Sequence, residues 1–265
     1  MQRYFVEEND WQEELIELSG DDAHHIVKVM RMKVGSQFIV ANGQGKSALA
    51  ELYEINSGAV TAKRIEWLPM ELPFPVKVTI AQGLPKGDKM EMVIQKGTEI
   101  GAACFLPFES ERMIVQYDAK KEAKRLERWR KIAKEAAEQA HRTYLPEVKS
   151  VHRFAALLEQ MQHYDVVLLC YEQQAKQSEQ YGLATALATW RATSKYAELK
   201  TEQQPSNILV IIGPEGGFSD QEAAEAIAAG AVAISLGSNI LRTETAGIVA
   251  LSCILYDAGV MGGVS

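Results

Sequence analysis

An α/β fold on a mostly parallel sheet, preceded by a small β-rich unit, is predicted by three features of the 265-residue sequence. From Pro75 onward, strand-like and helix-like segments alternate, the pattern of a parallel sheet with helices on both faces. Towards the C-terminus two apolar strands each run into a glycine-bearing polar turn and a helix start. The first turn reads Gly213-Pro214-Glu215-Gly216-Gly217-Phe218-Ser219, and the second runs from Leu236-Gly237 through Arg242-Thr243-Glu244 to Ala246. Before residue 70 the strand-like runs are short and alternating, at 38–41, 47–53 and 59–65. Asn42-Gly43 and Asn56-Ser57-Gly58 separate them as hairpin signals, so a small barrel is expected. Pro69, Pro73 and Pro75 lack the N–H that a sheet ladder needs, and read as a linker. The division falls there, at 1–72 and 73–265.

Each element follows from local pattern. One helix is expected over 21–30, capped by Asp21 or Asp22. After the linker, strands are expected over 76–82, 103–107, 165–170, 208–212 and 232–236, as short runs rich in Val, Ile and Leu. Helices are expected over 89–100, 119–142, 153–162, 179–193, 220–229 and 245–258. Ser219 with Glu222 three residues on forms a capping box, and Thr243 or Thr245 suits the N-cap of the last helix. The long helix shows a core stripe of Ala123, Leu126, Ile132 or Ala133, Ala136 and Ala140. Lys120, Lys124, Arg128 and Lys131 recur on another face.

Composition narrows the class. The 47% hydrophobic content suits a chain that buries a core, and no apolar run approaches bilayer length. The N-terminus lacks a signal-peptide pattern. Cys104, Cys170 and Cys253 are far apart and sit in apolar segments, so they read as buried thiols of a cytoplasmic protein without a metal cluster. The net charge is −7, yet residues 112–149 hold 11 Lys and Arg against 6 Asp and Glu, leaving 17 against 29 elsewhere. A solvated helix face accounts for most such basic runs, and a phosphate backbone is the sharper reading.

The two turns carry the chemistry. Ligands of open α/β sheets bind at the carboxyl ends of strands. Gly213-Pro-Glu-Gly-Gly matches neither a Walker A loop nor Gly-x-Gly-x-x-Gly, and no Gly-x-Ser-x-Gly or metal-type histidine spacing occurs. Arg242 and Glu244 are ionisable residues set between apolar runs, so they are site candidates, with a structural Arg–Glu pair as the bland alternative.

At these residues the chain resembles the uridine-N3 methyltransferases of small-subunit (16S) ribosomal RNA, members of the SPOUT class that use S-adenosylmethionine. The resemblance rests on Gly213-Pro-Glu-Gly-Gly-Phe-Ser and Leu236-Gly-Ser-Asn-Ile-Leu-Arg-Thr-Glu-Thr-Ala246, and extends through Met1-Gln-Arg-Tyr-Phe-Val, His24–Arg31, Gln95–Gly101 and Glu135–Arg142. It implies an N-terminal PUA-like β-barrel for RNA, a parallel-sheet domain with a trefoil knot, and a homodimer. It implies S-adenosylmethionine held by Leu169, Gly213, Glu215, Gly216, Gly217, Leu236, Gly237, Asn239, Ile240, Leu241 and Thr243. Uridine N3 must lose a proton before it attacks, so Arg242 is expected to stabilise the base's charge and Glu244 to accept or relay the proton. Arg3, Lys28, Arg31, Arg112, Lys124, Arg128 and Arg142 are the expected RNA contacts. Two other readings stay open here: a non-catalytic RNA-binding assembly factor on this fold, and an α/β nucleotide-binding enzyme unrelated to RNA.

Overall fold

The computed structural model describes residues 1–7, 11–12, 14–113, 118–171 and 182–262. It divides into two compact units, one of Met1–Pro73 with Lys134–Leu145 and one of Phe74–Ala133 with Pro146–Ser265. Residues 134–145, assigned from sequence to the second domain, therefore group with the first.

In the first unit β1 (Arg3–Phe5), β2 (Trp11–Gln12), β3 (Leu15–Ser19), β4 (Gln37–Ala41), β5 (Ser47–Asn56) and β6 (Ala59–Trp67) form one sheet. Its order is β1-β4-β5-β6-β3-β2, with β1 parallel to β4 and the other pairs antiparallel. Alternate residues of β4, β5 and β6 point inward, so Phe38, Val40, Ala48, Ala50, Leu52, Val60 and Ala62 are sealed in its core. Asn42 Oδ1 accepts from the Gln44 and Lys46 N–H groups and closes the predicted hairpin. The expected helix over 21–30 is α1 (Gly20–His24) running into a π-helical turn, His25–Val29. Its N-cap is Ser19, not an aspartate. Asp21 and Asp22 lie inside its first turn instead, and the Asp22 carboxylate accepts from Lys134 Nζ at 2.5 Å.

The second unit holds β7 (Val76–Gly83), β8 (Cys104–Glu109), β9 (Glu147–Val148), β10 (His152–Arg153), β11 (Val166–Cys170), β12 (Ser206–Ile212) and β13 (Val232–Ile234). The sheet runs β10-β8-β7-β12-β11-β13, with β9 beside β8, and every pair is parallel. Its helices are α2 (Lys89–Ile100), α3 (Ala119–Gln139, continuing into the first unit's residues), α4 (Phe154–Gln160), α5 (Leu183–Arg191), α6 (Ser194–Thr201), α7 (Asp220–Ala228) and α8 (Thr243–Asp257). Central strands face helices on both sides, so β12 reads as an unbroken apolar run: Ile208, Val210 and Ile212 pack on one face and Leu209 and Ile211 on the other.

Boundaries differ from expectation where a local reason is visible. The long helix stops at Gln139 rather than 142, because His141 takes a left-handed φ of 56°. Its buried stripe is centred on Trp129, Ala133, Ala136 and Ala137, while Ala123 is exposed. The helix expected over 179–193 is seen from Leu183; residues 179–181 lie outside the described set. The last helix begins at Thr243, two residues early.

Candidate active site

Four parallel strands, β7, β12, β11 and β13, deliver their carboxyl ends to one place. The two glycine turns border a cavity of about 530 Å³ there. Its wall includes Ile212 and Gly213–Phe218 from the first turn, Ile234, Leu236 and Asn239–Thr243 from the second, Cys170 and Tyr171 at the end of β11, and Lys89 and Arg112. Ile240 is 78% exposed although apolar, so the second turn offers the cavity an uncovered hydrophobic side chain.

A buried hydrogen-bond chain ties the turns together. Thr243 Oγ1 donates to the Gly213 carbonyl at 2.6 Å and accepts from Gln82 Nε2 at 2.8 Å. The Gln82 amide also donates to the Gly83 carbonyl at 3.0 Å. Gln82 is fully buried, and its Oε1 has no hydrogen-bond partner among the described residues. Thr243 is thus spent on joining turns, and no side chain caps α8, contrary to the capping expectation. The predicted capping box at Ser219 and Glu222 is formed.

An ion cluster lies beside it. Lys89 Nζ is 2.9 Å from Glu215 Oε1 and 3.3 Å from Glu244 Oε2. The Lys86 N–H also donates to Glu215. Burial works to raise the Glu215 proton affinity, but Lys89 and the backbone donors together outweigh it and hold the carboxyl below its usual range. Lys89 is raised, chiefly by its bond to Glu215. Tyr171 donates to Asp220 Oδ1 at 3.0 Å. Burial first, and then Asp220, raise its phenol.

The segment after β8 lies on the first turn. A Cβ on Gly216 would sit 2.8 Å from the Arg112 carbonyl oxygen and 3.0 Å from its Cβ, so only glycine fits beneath it. The buried Glu222 carboxylate holds the same segment. It accepts from the Glu111 N–H at 2.8 Å, the Ser110 hydroxyl at 3.1 Å and the Ser219 N–H at 2.9 Å.

Of the residues expected to hold the cofactor, Gly213, Glu215, Gly216, Gly217, Leu236, Asn239, Ile240, Leu241 and Thr243 line this cavity. Leu169 does not: it is fully buried in the apolar cluster on one face of β11, and its strand neighbour Cys170 reaches the cavity instead. Gly237 is exposed off the wall, with a φ of 120° that turns the chain. Arg242 lines the cavity and is exposed, whereas Glu244 lies off the wall against Lys89. Among the expected RNA contacts, Arg3 is the least accessible. It is 7% exposed within β1, and burial lowers its proton affinity. Arg142 is half-buried, and desolvation brings its guanidinium down to about 10. Arg128 is exposed but clasped by Glu91 at 2.5 and 2.6 Å. Lys28, Arg31, Lys124 and Arg112 are exposed. Sequence reasoning missed Lys89, Gln82 and Tyr171. A signal existed for the first two: Gln82-Gly83-Leu84-Pro85-Lys86-Gly87-Asp88-Lys89 is a third strand, glycine turn and helix start.

Fold and site define a class: a two-unit α/β protein with a small-ligand cavity at the carboxyl ends of parallel strands. Residues 72–255 match the RNA methyltransferase domain family, and residues 18–63 match the RNA methyltransferase PUA domain. The sequence is 42% identical over 266 residues to ribosomal RNA small subunit methyltransferase E of Bacillus subtilis (strain 168), covering 99% of each chain. It is 35% identical to the protein of that name from Synechocystis sp., over 91% of this chain and 73% of that one. The crystal structure of a ribosomal RNA small subunit methyltransferase E from Neisseria gonorrhoeae bound to S-adenosyl methionine matches with a TM-score of 0.77 at 28% identity, over 97% of each chain. The chain belongs to the RNA methyltransferase family that contains ribosomal RNA small subunit methyltransferase E.

Proposed function

We propose that the protein methylates N3 of a specific uridine in 16S ribosomal RNA, using S-adenosylmethionine. The cavity built by the two turns carries this reading. Its volume of about 530 Å³ falls in the usual range for small-ligand sites of roughly 300–1,000 Å³. The donor fits the residues present. Leu236, Ile240 and Leu241 offer an apolar wall for a purine, and the Gly213–Gly217 turn brings bare backbone to the ligand without Cβ atoms at three positions. When bound, the donor supplies a methyl group on a sulfonium, ready for displacement by a nucleophile.

The chain's own task is then positioning and charge. Arg242 and Arg112, both on the cavity wall and exposed, stand where they could stabilise a uracil that has lost its N3 proton. Glu244 faces Lys89 rather than the cavity, so its assigned part here is to hold that ammonium beside Glu215. Activation by surrounding cations accounts for the site better than a carboxylate base in contact with the substrate. The reading extends, on the strength of the family resemblance, to a trefoil knot in the second unit, a homodimer and a cytoplasmic setting.

The test is to incubate unmethylated small subunits with methyl-labelled donor and map the modified nucleotide. Label at N3 of one uridine is expected. Retained donor affinity with no label in RNA would overturn the proposal in favour of a non-catalytic RNA-binding factor. A second measurement tests the role of Glu244. Glu244→Gln should keep methyl transfer within about tenfold of the parent, because the residue acts through Lys89; a loss of about 10³-fold or more would restore it as the base.

A further inference from the structure

Glu222 is tied to more than a helix cap needs. A capping box asks its glutamate for one bond, to the N-cap N–H. Glu222 makes that bond, to Ser219, and then accepts two more from residues over a hundred positions away, the Ser110 hydroxyl and the Glu111 N–H. Its side chain is almost wholly enclosed, at 5% exposure for the residue. The next residue, Arg112, rests its backbone on Gly216 and turns its side chain to the cavity wall. The Arg112 backbone is therefore fixed from two sides, by the Glu222 carboxylate through residues 110 and 111 and by the first turn through Gly216.

We propose that Glu222 is a positioning residue for the RNA substrate: it holds the 110–112 segment so that Arg112 stands over the cavity, where a nucleobase or its phosphate would lie. The proposal rests on the reading of the cavity as the methyl-transfer site. Three donors on one carboxylate make a stiff anchor, since charge-assisted bonds are shorter and stronger than neutral ones. The guanidinium at the end of that anchor is exposed and close enough to influence the Tyr171 phenol. The same carboxylate thus starts α7 and carries a cation to the mouth of the cavity, and the sequence shows only the first of these jobs.

A double-mutant cycle tests this on the full-length protein, with single-turnover methyl transfer to unmethylated small subunits and donor affinity measured in parallel. Arg112→Ala and Glu222→Gln should each slow transfer by about tenfold or more at low RNA concentration. The double variant should be no slower than the worse single one, because each change removes the same placed cation. Donor affinity should stay within about twofold throughout. Multiplicative losses in the double variant would overturn the proposal, showing that Glu222 acts independently of Arg112. An Arg112→Ala variant with unchanged transfer would overturn it differently, by removing Arg112 from the substrate while leaving the donor site intact. Ser110→Ala spares the capping box and removes one of the two cross-links, leaving the Glu111 N–H bond, so it serves if Glu222→Gln fails to fold. It should show a smaller loss that also vanishes in the Arg112→Ala background; a loss of the same size in both backgrounds would sink the idea.

Discussion

Gln82 is the residue on which the cavity's shape turns. It lies at the end of β7, fully buried, and its amide reaches Thr243, which in turn holds the Gly213 carbonyl. Thr243 thereby ties the second turn directly to the first, and one side chain of a third strand braces that tie. The Gln82 Oε1 has no hydrogen-bond partner among the described residues, a costly arrangement for a buried amide, of the order of 1–3 kcal/mol. Gln82→Met keeps the length and removes that orphan, but it also removes the donor to Thr243. Global stability should therefore change little, within about 1 kcal/mol, while donor affinity falls by about tenfold as Thr243 loses its brace and the tie between the turns loosens. Titration calorimetry alongside urea unfolding separates the two effects. Parent-like donor affinity in a folded Gln82→Met protein would show that the turns hold their shape without it.

At the scale of elements, the site depends on how tightly β7 approaches the first turn. A Cβ on Gly83 would fall 2.7 Å from Pro214 Cδ and 2.8 Å from its nitrogen. The obstacle is backbone and ring, neither of which can swing aside. Gly83→Ala should therefore cost about 1–3 kcal/mol in unfolding free energy, and it should displace Pro214 enough to weaken donor binding as well. Thermal melts with and without the donor check this: the variant should melt lower and gain less from added donor than the parent. An Ala variant with parent melting and parent donor response would mean the strand and turn can separate freely. The same contacts explain what could be read from the chain alone. The Ser219–Glu222 capping box spans three residues, and local pattern revealed it. Partners of Gln82 and Glu222 lie 131, 161 and 112 positions off, and no local pattern reports such distances. Leu169 differs from expectation in where it faces, for a different reason. Successive residues of a strand face opposite ways, so a one-residue choice in β11 exchanges the helix-packed Leu169 for the cavity-lining Cys170. Arg3 entered as an expected RNA contact through the resemblance alone, and its 7% exposure within β1, paired with β4, is set by partners distant in sequence.

At the scale of the whole molecule, α3 is the element that both units share. Trp129 and Ala133 belong to the core of the second unit, and Ala137 packs with Phe5 and Ala41 of the first. The last turns of this helix also carry a carboxyl that burial moves into the neutral range. Glu138 Oε1 accepts from the Phe5 N–H at 3.1 Å. Burial raises its proton affinity from the ordinary 4.5 to about 7, with Lys134 opposing and Asp22 adding to the shift. The sign follows from linkage. A carboxyl that binds its proton more tightly in the folded chain than in the unfolded one stabilises the fold most fully below about 4.5, where both forms are protonated. That contribution is lost as pH rises through about 7, because the folded chain must then keep a buried charge or release the contact. The shift is worth at most about 3 kcal/mol, at roughly 1.4 kcal/mol per pH unit, and less where Lys134 and solvent screen it. Glu138→Gln keeps the acceptor for Phe5 and has no proton to lose. Urea unfolding of the full chain at pH 5.5 and pH 8 should therefore show the parent losing stability with rising pH relative to Glu138→Gln, with the difference growing to about 1–3 kcal/mol. Parallel pH profiles for the two proteins would place the Glu138 carboxylate in water in the folded chain, contrary to the packing of Ala137 and Phe5 around the helix end.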